Sequence, residues 1–254
     1  MTAPANAPET LGRRAAIRKW LRALAWNWIA IVAASLFAAA AFAAIGEDVF
    51  THELGSLDGG VRSWVLEHQS ASMLRLFTLI TQLGSTVAMV AFVLLVGVWL
   101  WRNKHRHVAS IVVTAPAIAV GLFNALKAFF QRHRPEGASK LHVLSYSFPS
   151  GHTTVATAVM VTVAYVLARE RMVPKWLAIV AAIVWPILVG ASRVYLDVHW
   201  TTDVLGGWAL GLLVAGVSAA LYERARARIA PAPPAATAFA EGSPAQPSTA
   251  DHSR

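Results

Sequence analysis

Three short stretches of the chain carry residues whose types and spacing fit phosphate chemistry. A basic stretch ending in Arg-Pro occupies 127–135, a Pro-Ser-Gly-His stretch occupies 149–152, and a stretch with serine, arginine, histidine and aspartate occupies 192–203. A phosphoryl group carries about −1.5 to −2 charges at neutral pH and three acceptor oxygens. Cations, backbone N–H groups and an imidazole are the groups that bind and attack it. The three stretches together predict a phosphate-handling site.

The predicted binding groups are three cations and one helix start. Lys127, Arg134 and Arg193 supply positive charge, and the planar forks of the two arginines match phosphate geometry. Ser150 and Gly151 immediately precede a predicted helix, so their backbone N–H groups and the helix dipole can point at an anion. Because Gly151 has no side chain, the backbone can approach that anion closely.

Two histidines and one aspartate are the predicted reacting groups. His199 and Asp203 are four residues apart and therefore share one face of a helical turn. A carboxylate in that position can hold one imidazole N–H, fix the tautomer and leave the other nitrogen free to attack. His152 follows on the first turn of the preceding predicted helix. Taken singly, these residues are ordinary helix caps or snorkelling side chains, so the prediction depends on their meeting on one face.

The elements that must position these residues are membrane helices. Hydrophobic residues make up 56% of the 254 residues, charged residues 14%, and the mean hydropathy is +0.52. A soluble domain usually carries about 25% charged residues, which excludes ordinary soluble, disordered and collagen-like proteins. The absence of cysteine excludes disulfides, thiolate metal sites and a cysteine nucleophile. Six stretches are apolar and long enough to cross a bilayer: 26–45, 84–101, 108–126, 153–168, 176–191 and 204–222. The predicted fold is an all-α integral membrane protein, a six-transmembrane-helix bundle.

Basic residues in the connections predict the orientation of this bundle. Fourteen of the 22 lysines and arginines fall on one side of the predicted spans, seven on the other, and one in the C-terminal tail. The positive-inside bias makes the richer side cytoplasmic, so both termini are expected in the cytoplasm and the phosphate site at the outer, periplasmic membrane interface. This bias also accounts for the net charge of +9, so no nucleic-acid partner is predicted.

The predicted organisation has three parts. Residues 1–25 form a basic cytoplasmic arm, 26–222 the six-helix domain, and 223–254 a cytoplasmic tail that its Ala, Pro, Ser and Thr content predicts to be disordered from about 230. A cleaved signal peptide is the alternative for 26–45, although this apolar core is longer than that of most signal peptides. Residues 73–82 are predicted to form a short interfacial helix leading to a break at Gly84-Ser85.

Two further patterns concern depth and packing. The predicted spans 153–168 and 176–191 have only 16 residues each, which is about 24 Å of helix, so the site is expected at or slightly below the headgroup level. Gly207 and Gly211 in the last span fit either a dimer face or packing within the bundle. The oligomeric state is left open.

The motif strings resemble those of one known family. The strings K-x6-R-P at 127–135, P-S-G-H at 149–152 and S-R-x5-H-x3-D at 192–203 resemble the type 2 phosphatidic acid phosphatase family, whose soluble relatives are the vanadium haloperoxidases. The resemblance covers roughly 70–222. Many members have a proline between the last histidine and aspartate, whereas this chain has Trp-Thr-Thr, which leaves the spacing intact.

The resemblance implies a role for each predicted residue. His199 is the nucleophile that forms a phosphohistidine, Asp203 orients it, and His152 protonates the leaving oxygen. The phosphate is bound by Lys127, Arg134, Ser150, Gly151 and Arg193. Neither a metal ion nor a cofactor is implied.

The expected function is that of a lipid phosphate phosphatase in a bacterial inner membrane. Undecaprenyl diphosphate is favoured as substrate over phosphatidylglycerol phosphate and phosphatidic acid. A phosphotransferase acting on a lipid or sugar acceptor and a non-catalytic lipid-binding or transport protein are the alternatives, while six spans disfavour a haloperoxidase. Arg132, His133 and Lys140 fit either contacts to a second phosphate or, preferably, a solvated loop.

Overall fold

The computed structural model describes residues 7–51, 53–135 and 145–229, and every helix in these ranges is an α-helix. Eight helices follow one another in these ranges: α1 Ala7–Thr51, α2 Gly55–Glu67, α3 Ala71–Leu83, α4 Thr86–Arg102, α5 Arg106–Phe130, α6 Gly151–Arg169, α7 Lys175–Tyr195 and α8 Thr201–Ile229. Lys140 and the predicted disordered tail from about 230 lie outside the described residues.

Six membrane spans can be drawn from these helices. Five are individually long and apolar enough, in α1, α5, α6, α7 and α8, and the sixth is the pair α3 and α4, which is bent by 49°. Gly84 ends α3, and the Ser85 side chain caps α4 by accepting the Ala88 N–H at 3.2 Å. The predicted six-span, all-α membrane fold is confirmed, and the break falls at the predicted Gly84-Ser85.

The helices that carry the site are longer than predicted. α6 has 19 residues and α7 has 21, where the sequence predicted 16 each. A hydropathy-based span stops at the first polar residue, but the helical backbone continues through His152 at one end and Arg193 at the other. At 1.5 Å per residue these helices are about 28 and 32 Å long. The 16-residue lengths from which the depth of the site was inferred are therefore wrong, while a site at or slightly below the headgroup level stays a prediction.

Close packing of α8 on α6 joins two of the motif stretches. A Cβ atom added at Gly207 would lie 2.9 Å from Cβ of Thr153, and one at Gly211 would lie 2.5 Å from Cβ of Thr157. The glycine pair is therefore used for packing within the bundle. α6 also packs against α4, α5 and α7, so the start of α6 lies at the centre of one end of the molecule. We call this end, where α5 ends and α6 and α8 begin, the active-site end.

The short helix α2 lies across the active-site end. It packs against α7 and α8, and Arg62 of α2 donates two hydrogen bonds to Asp197, at 2.8 and 3.1 Å. The side chain of Gln69, just after α2, donates to the Tyr195 carbonyl at 2.8 Å. These contacts hold the loop between α7 and α8, which carries His199.

Candidate active site

A cavity of about 450 Å³ opens at the active-site end. Six of the eight predicted site residues line it: Lys127, Arg134, Gly151, His152, Arg193 and His199. The other two, Ser150 and Asp203, are fully buried behind the wall. The structure therefore brings together residues from three separate stretches of the chain.

His199 presents one ring nitrogen to this cavity. Its Nδ1 lies 3.2 Å from Oδ2 of Asp203, and its Nε2 lies 3.0 Å from Nη1 of Arg134. A carboxylate accepts and a guanidinium donates, so the proton of a neutral ring belongs on Nδ1 and the lone pair on Nε2. Burial, together with the charges of Arg134 and Arg193, lowers the pKa of His199 well below its ordinary value. The imidazole is thus held in its neutral form, with the lone pair on Nε2.

Asp203 is fixed by donors on both of its oxygens. Oδ2, besides facing His199, accepts the Trp200 backbone N–H at 2.9 Å. Oδ1 accepts from Nη1 of Arg132 at 2.8 Å and from the Ser147 hydroxyl at 3.4 Å. The side chain is entirely buried. Its orientation toward His199 therefore has little freedom.

Two cavity cations are held by backbone carbonyls. The Lys127 ammonium donates to the carbonyl oxygens of Tyr146 and Ser147. The Arg134 guanidinium donates to the carbonyl oxygens of Ser145 and Val198, both at 2.6 Å. Burial lowers the pKa of Arg134. Neither side chain makes an ion pair with a carboxylate among the described residues.

The third cavity cation is Arg193, which donates to one uncharged side chain and has one buried N–H group without a hydrogen-bond partner among the described residues. Its Nη1 donates to the Thr81 hydroxyl at 2.7 Å. Its Nε is buried and has no hydrogen-bond partner within the described part of the chain. A buried donor without a partner is costly, and a phosphate oxygen in the cavity is an acceptor of the kind it lacks. Thr81 was not predicted, because an uncharged residue in α3 gives no motif signal.

The backbone at the start of α6 was predicted to point its N–H groups at an anion, and Ser150 does not do so. The Ser150 N–H donates to the backbone carbonyl of Asp203 at 3.0 Å, so it does not point at an anion, and its hydroxyl accepts from Thr153 at 2.9 Å. A Cβ atom at Gly151 would lie 3.0 Å from the Phe123 ring, so the glycine also allows α6 to pack closely on α5. His152, on the first turn, lines the cavity.

Arg132 has a role that neither sequence interpretation anticipated. Its guanidinium bonds Oδ1 of Asp203 at 2.8 Å and Oδ2 of Asp58 at 2.7 Å. It does not line the cavity, and its side chain is only 13% exposed. Both the second-phosphate contact and the solvated loop are therefore wrong for Arg132. No local pattern pairs it with Asp58, which lies 74 residues earlier in the chain.

The α3–α4 pair forms a wall with two chemically different sides. Four neutral polar residues face the cavity: Thr78, Thr81, Gln82 and Thr86. On the other side, Leu79 and Leu83 are each 59% exposed and Val87 is 81% exposed. In a membrane span, exposed apolar side chains face lipid. The cavity is thus separated from the bilayer by one bent helix pair.

Comparison with known proteins agrees with this arrangement. The sequence profile of the PAP2 superfamily matches residues 108–227. Phosphatidylglycerophosphatase B of Bacillus subtilis is 30% identical over 177 residues, which is 68% of this chain and 87% of that protein. The chain belongs to the PAP2 superfamily.

Further relatives of this PAP2 protein are a second named phosphatase and a solved structure. An undecaprenyl-diphosphatase of Sulfolobus acidocaldarius is 31% identical over 46% of this chain and 56% of that protein. The crystal structure of a transmembrane PAP2-type phosphatidylglycerolphosphate phosphatase from Bacillus subtilis is 29% identical, with a TM-score of 0.68, and covers 76% of this chain and 96% of that chain. The predicted family and enzyme class, a membrane lipid phosphate phosphatase, are confirmed.

Proposed function

We propose that this PAP2 protein hydrolyses a lipid phosphate or diphosphate through a phosphohistidine on His199, without a metal ion or cofactor. The observation that carries the proposal is the placement of Nε2 of His199. This nitrogen faces a cavity lined by three cations, while Asp203 holds the proton on the opposite nitrogen. A neutral imidazole nitrogen beside three cations whose hydrogen-bond partners among the described residues are uncharged is suited to phosphoryl transfer, because the cations can balance the charge of the transferred group.

The reaction consists of two displacements at phosphorus. The lone pair of Nε2 attacks, the bond from phosphorus to the lipid oxygen breaks, and His152 gives that oxygen its proton. His152 then takes a proton from water, whose oxygen attacks phosphorus, and the P–N electron pair returns to His199. Lys127, Arg134 and Arg193 stabilise the charge on the equatorial oxygens in both transition states.

The support for a lipid substrate comes from the α3–α4 wall. Its polar residues face the cavity and its leucines face outward, so a phosphate can enter while its acyl or prenyl chains stay in the bilayer. Relatives are named for phosphatidylglycerophosphate and for undecaprenyl diphosphate. Undecaprenyl diphosphate remains the preference drawn from the sequence, and both lipids belong in the first assay.

The first experiment is phosphate release by the purified protein in excess EDTA. The panel contains undecaprenyl diphosphate, phosphatidylglycerophosphate and phosphatidic acid. We expect release from at least one lipid, its loss in His199→Ala, and its retention in His68→Ala, which removes an exposed histidine of the same end of the molecule. Loss of activity on chelation contradicts the metal-free mechanism, and no release from any lipid by folded protein favours a phosphotransferase.

The intermediate has its own test. With lipid carrying a labelled phosphate, rapid quenching in base should leave label on the protein, and acid should release it, because a phosphoramidate is acid-labile. His199→Ala should carry no label, while His68→Ala should carry as much as the unmodified protein. Label that survives in His199→Ala contradicts the proposed nucleophile.

We further propose that both termini are cytoplasmic and that the cavity faces the periplasm of a bacterial inner membrane. The support is the distribution of the basic residues, with 14 on the side opposite the site and seven on the site's side. Because the chain has no cysteine, single-cysteine variants are free of background. In intact cells an impermeant maleimide should label Glu67→Cys and not Asn103→Cys, and the reverse pattern contradicts this orientation.

A further inference from the structure

We propose that Arg132 and Asp58 are positioning residues that hold Asp203, and through it His199, in the geometry needed for attack. The inference rests on the proposed phosphohistidine mechanism. It concerns the ion pairs of Arg132 with Asp58 and Asp203, which lie behind the residues that line the cavity.

One guanidinium joins three separate parts of the chain. Arg132 follows α5, Asp58 lies in α2 and Asp203 lies in the first turn of α8. Nη1 of Arg132 donates to Oδ1 of Asp203 at 2.8 Å, and Nη2 donates to Oδ2 of Asp58 at 2.7 Å. A planar fork with fixed donor directions fits this bridge, whereas a single ammonium does not.

Asp58 also fixes the start of α8 directly. Its Oδ1 accepts the Thr202 backbone N–H at 2.9 Å, and its Oδ2 accepts the Thr202 hydroxyl at 2.6 Å. Nη1 of Arg132 donates to the same hydroxyl at 2.6 Å. Thr202 immediately precedes Asp203, so the backbone and the carboxylate of this turn are both held. The side chains of Asp58 and Asp203 are 4% and 0% exposed.

The partners of Arg132 separate it from the phosphate-binding cations. Lys127, Arg134 and Arg193 bond neutral oxygens and line the cavity, whereas Arg132 bonds two carboxylates and does not line it. Its charge is therefore already compensated within the protein. What it does is occupy Oδ1 of Asp203, which leaves Oδ2 to receive the imidazole N–H.

The test separates positioning from substrate binding. Because a misplacement of about 1 Å costs roughly 10²-fold in rate, we expect Arg132→Ala to lower kcat by about that factor. KM should stay within about threefold, since the cavity cations are unchanged. The control is Arg75→Ala, which removes an exposed arginine of α3 that does not line the cavity and should leave kcat within about twofold.

A second cavity makes chemical rescue feasible. About 450 Å³ of open space lies beside Arg132 and is lined also by Asp58 and Trp200. Millimolar guanidinium ion should therefore enter the space vacated in Arg132→Ala and restore kcat severalfold. It should restore nothing in His199→Ala, and Arg132→Lys should fall between Arg132→Ala and the unmodified enzyme.

Three results would overturn the inference. These are an unchanged kcat in Arg132→Ala, a loss confined to KM, or an effect of Asp58→Asn that adds in full to that of Arg132→Ala. If Arg132→Ala does not fold, Asp58→Asn alone must show the same loss in kcat at constant KM. An active enzyme that His199→Ala silences, with Arg132→Ala unaffected, refutes this inference and leaves the proposed function standing.

The inference also has a readout that does not depend on turnover. Histidine NMR on the detergent-solubilised protein reports the tautomer of His199, whose resonance is assigned by its absence in His199→Ala. Arg132→Ala should shift this resonance and Arg75→Ala should not. If no lipid is hydrolysed, the proposed function fails, and this spectrum alone still supports or refutes the positioning role.

Discussion

Replacing Asp203 with asparagine tests the tautomer argument directly. The carboxylate receives donors on both oxygens, from His199 and Trp200 on Oδ2 and from Arg132 on Oδ1. In Asp203→Asn one oxygen becomes an NH₂ group, which can only donate. If it turns toward Arg132 it meets a guanidinium at what was a 2.8 Å contact. The amide therefore places its NH₂ toward His199, and the imidazole proton moves from Nδ1 to Nε2, which also ends the hydrogen bond that Nε2 accepts from Arg134.

That proton shift sets the expected magnitude. Protonated Nε2 has no lone pair to attack phosphorus, which is the defect of the corresponding substitution in Ser-His-Asp enzymes, where kcat falls about 10⁴-fold. We expect a fall in kcat of about 10³ to 10⁴, which corresponds to about 4 to 5.5 kcal/mol of activation free energy. The mismatched Trp200 N–H should lower the free energy of unfolding by about 1 to 3 kcal/mol.

The assay is the rate of phosphate release at saturating lipid, with thermal unfolding in detergent measured beside it. Glu67→Gln is the control, because it makes the same change from carboxylate to amide at an exposed residue at the end of α2. It should keep kcat within about twofold. An Asp203→Asn enzyme that is folded and retains more than a tenth of the unmodified kcat would refute the argument.

Three further outcomes are expected. Because burial lowers the pKa of His199, its imidazole should remain neutral in the folded protein as the pH falls below about 6.5, where the same group in the unfolded chain takes up a proton. The free energy of unfolding should therefore decrease from about pH 6.5 down to the lowered pKa and level off below it; a histidine NMR titration midpoint at or above about 6.5 contradicts this. Gly211→Ala should lower the free energy of unfolding by about 1 to 3 kcal/mol, since its Cβ would lie 2.8 Å from a backbone carbonyl, whereas Gly121→Ala, with no atom within 4 Å, should not. Thr81→Val should raise KM by about tenfold or more, because a hydrogen bond to a charged group is worth about 1.5 to 3 kcal/mol, and Thr81→Ser should restore it; an unchanged KM shows that Thr81 does not hold Arg193.

Local geometry explains which parts of the site the sequence could predict. The i, i+4 spacing of His199 and Asp203 implies their contact, and the structure has it at 3.2 Å. The glycine spacing in α8 likewise implies a close helix approach, although only the structure identifies α6 as the partner. In both cases the residues that matter lie within two turns of one helix, so their spacing in the sequence predicts that they share a face.

The parts that sequence missed depend on tertiary placement. Asp58 and Arg132 are separated by a long stretch of chain that includes two membrane crossings, and Arg132 lies in a non-helical segment where spacing does not define a face. The helix ends were also misplaced, because hydropathy falls at His152 and Arg193 while backbone hydrogen bonding continues. The pairing of Arg193 with Thr81 depends on the 49° bend between α3 and α4, whose direction no residue pattern specifies.

The chemistry of each cation's partner, rather than its charge, decides its role in this end of the molecule. Lys127, Arg134 and Arg193 are held by carbonyl and hydroxyl oxygens, which orient a cation without cancelling its charge. The cavity therefore keeps a net attraction for an anion, and the price of desolvating three cations is offset most fully when a phosphate enters. Arg132, one of the six unspecified positions of the K-x6-R-P string, is held by two carboxylates and contributes order instead of attraction. Exchanging these partner types, for example by Thr81→Asp beside Arg193, should abolish phosphate binding while leaving the arginine in place, and tight binding retained in that variant would show that the cavity's net charge is not what recruits the substrate.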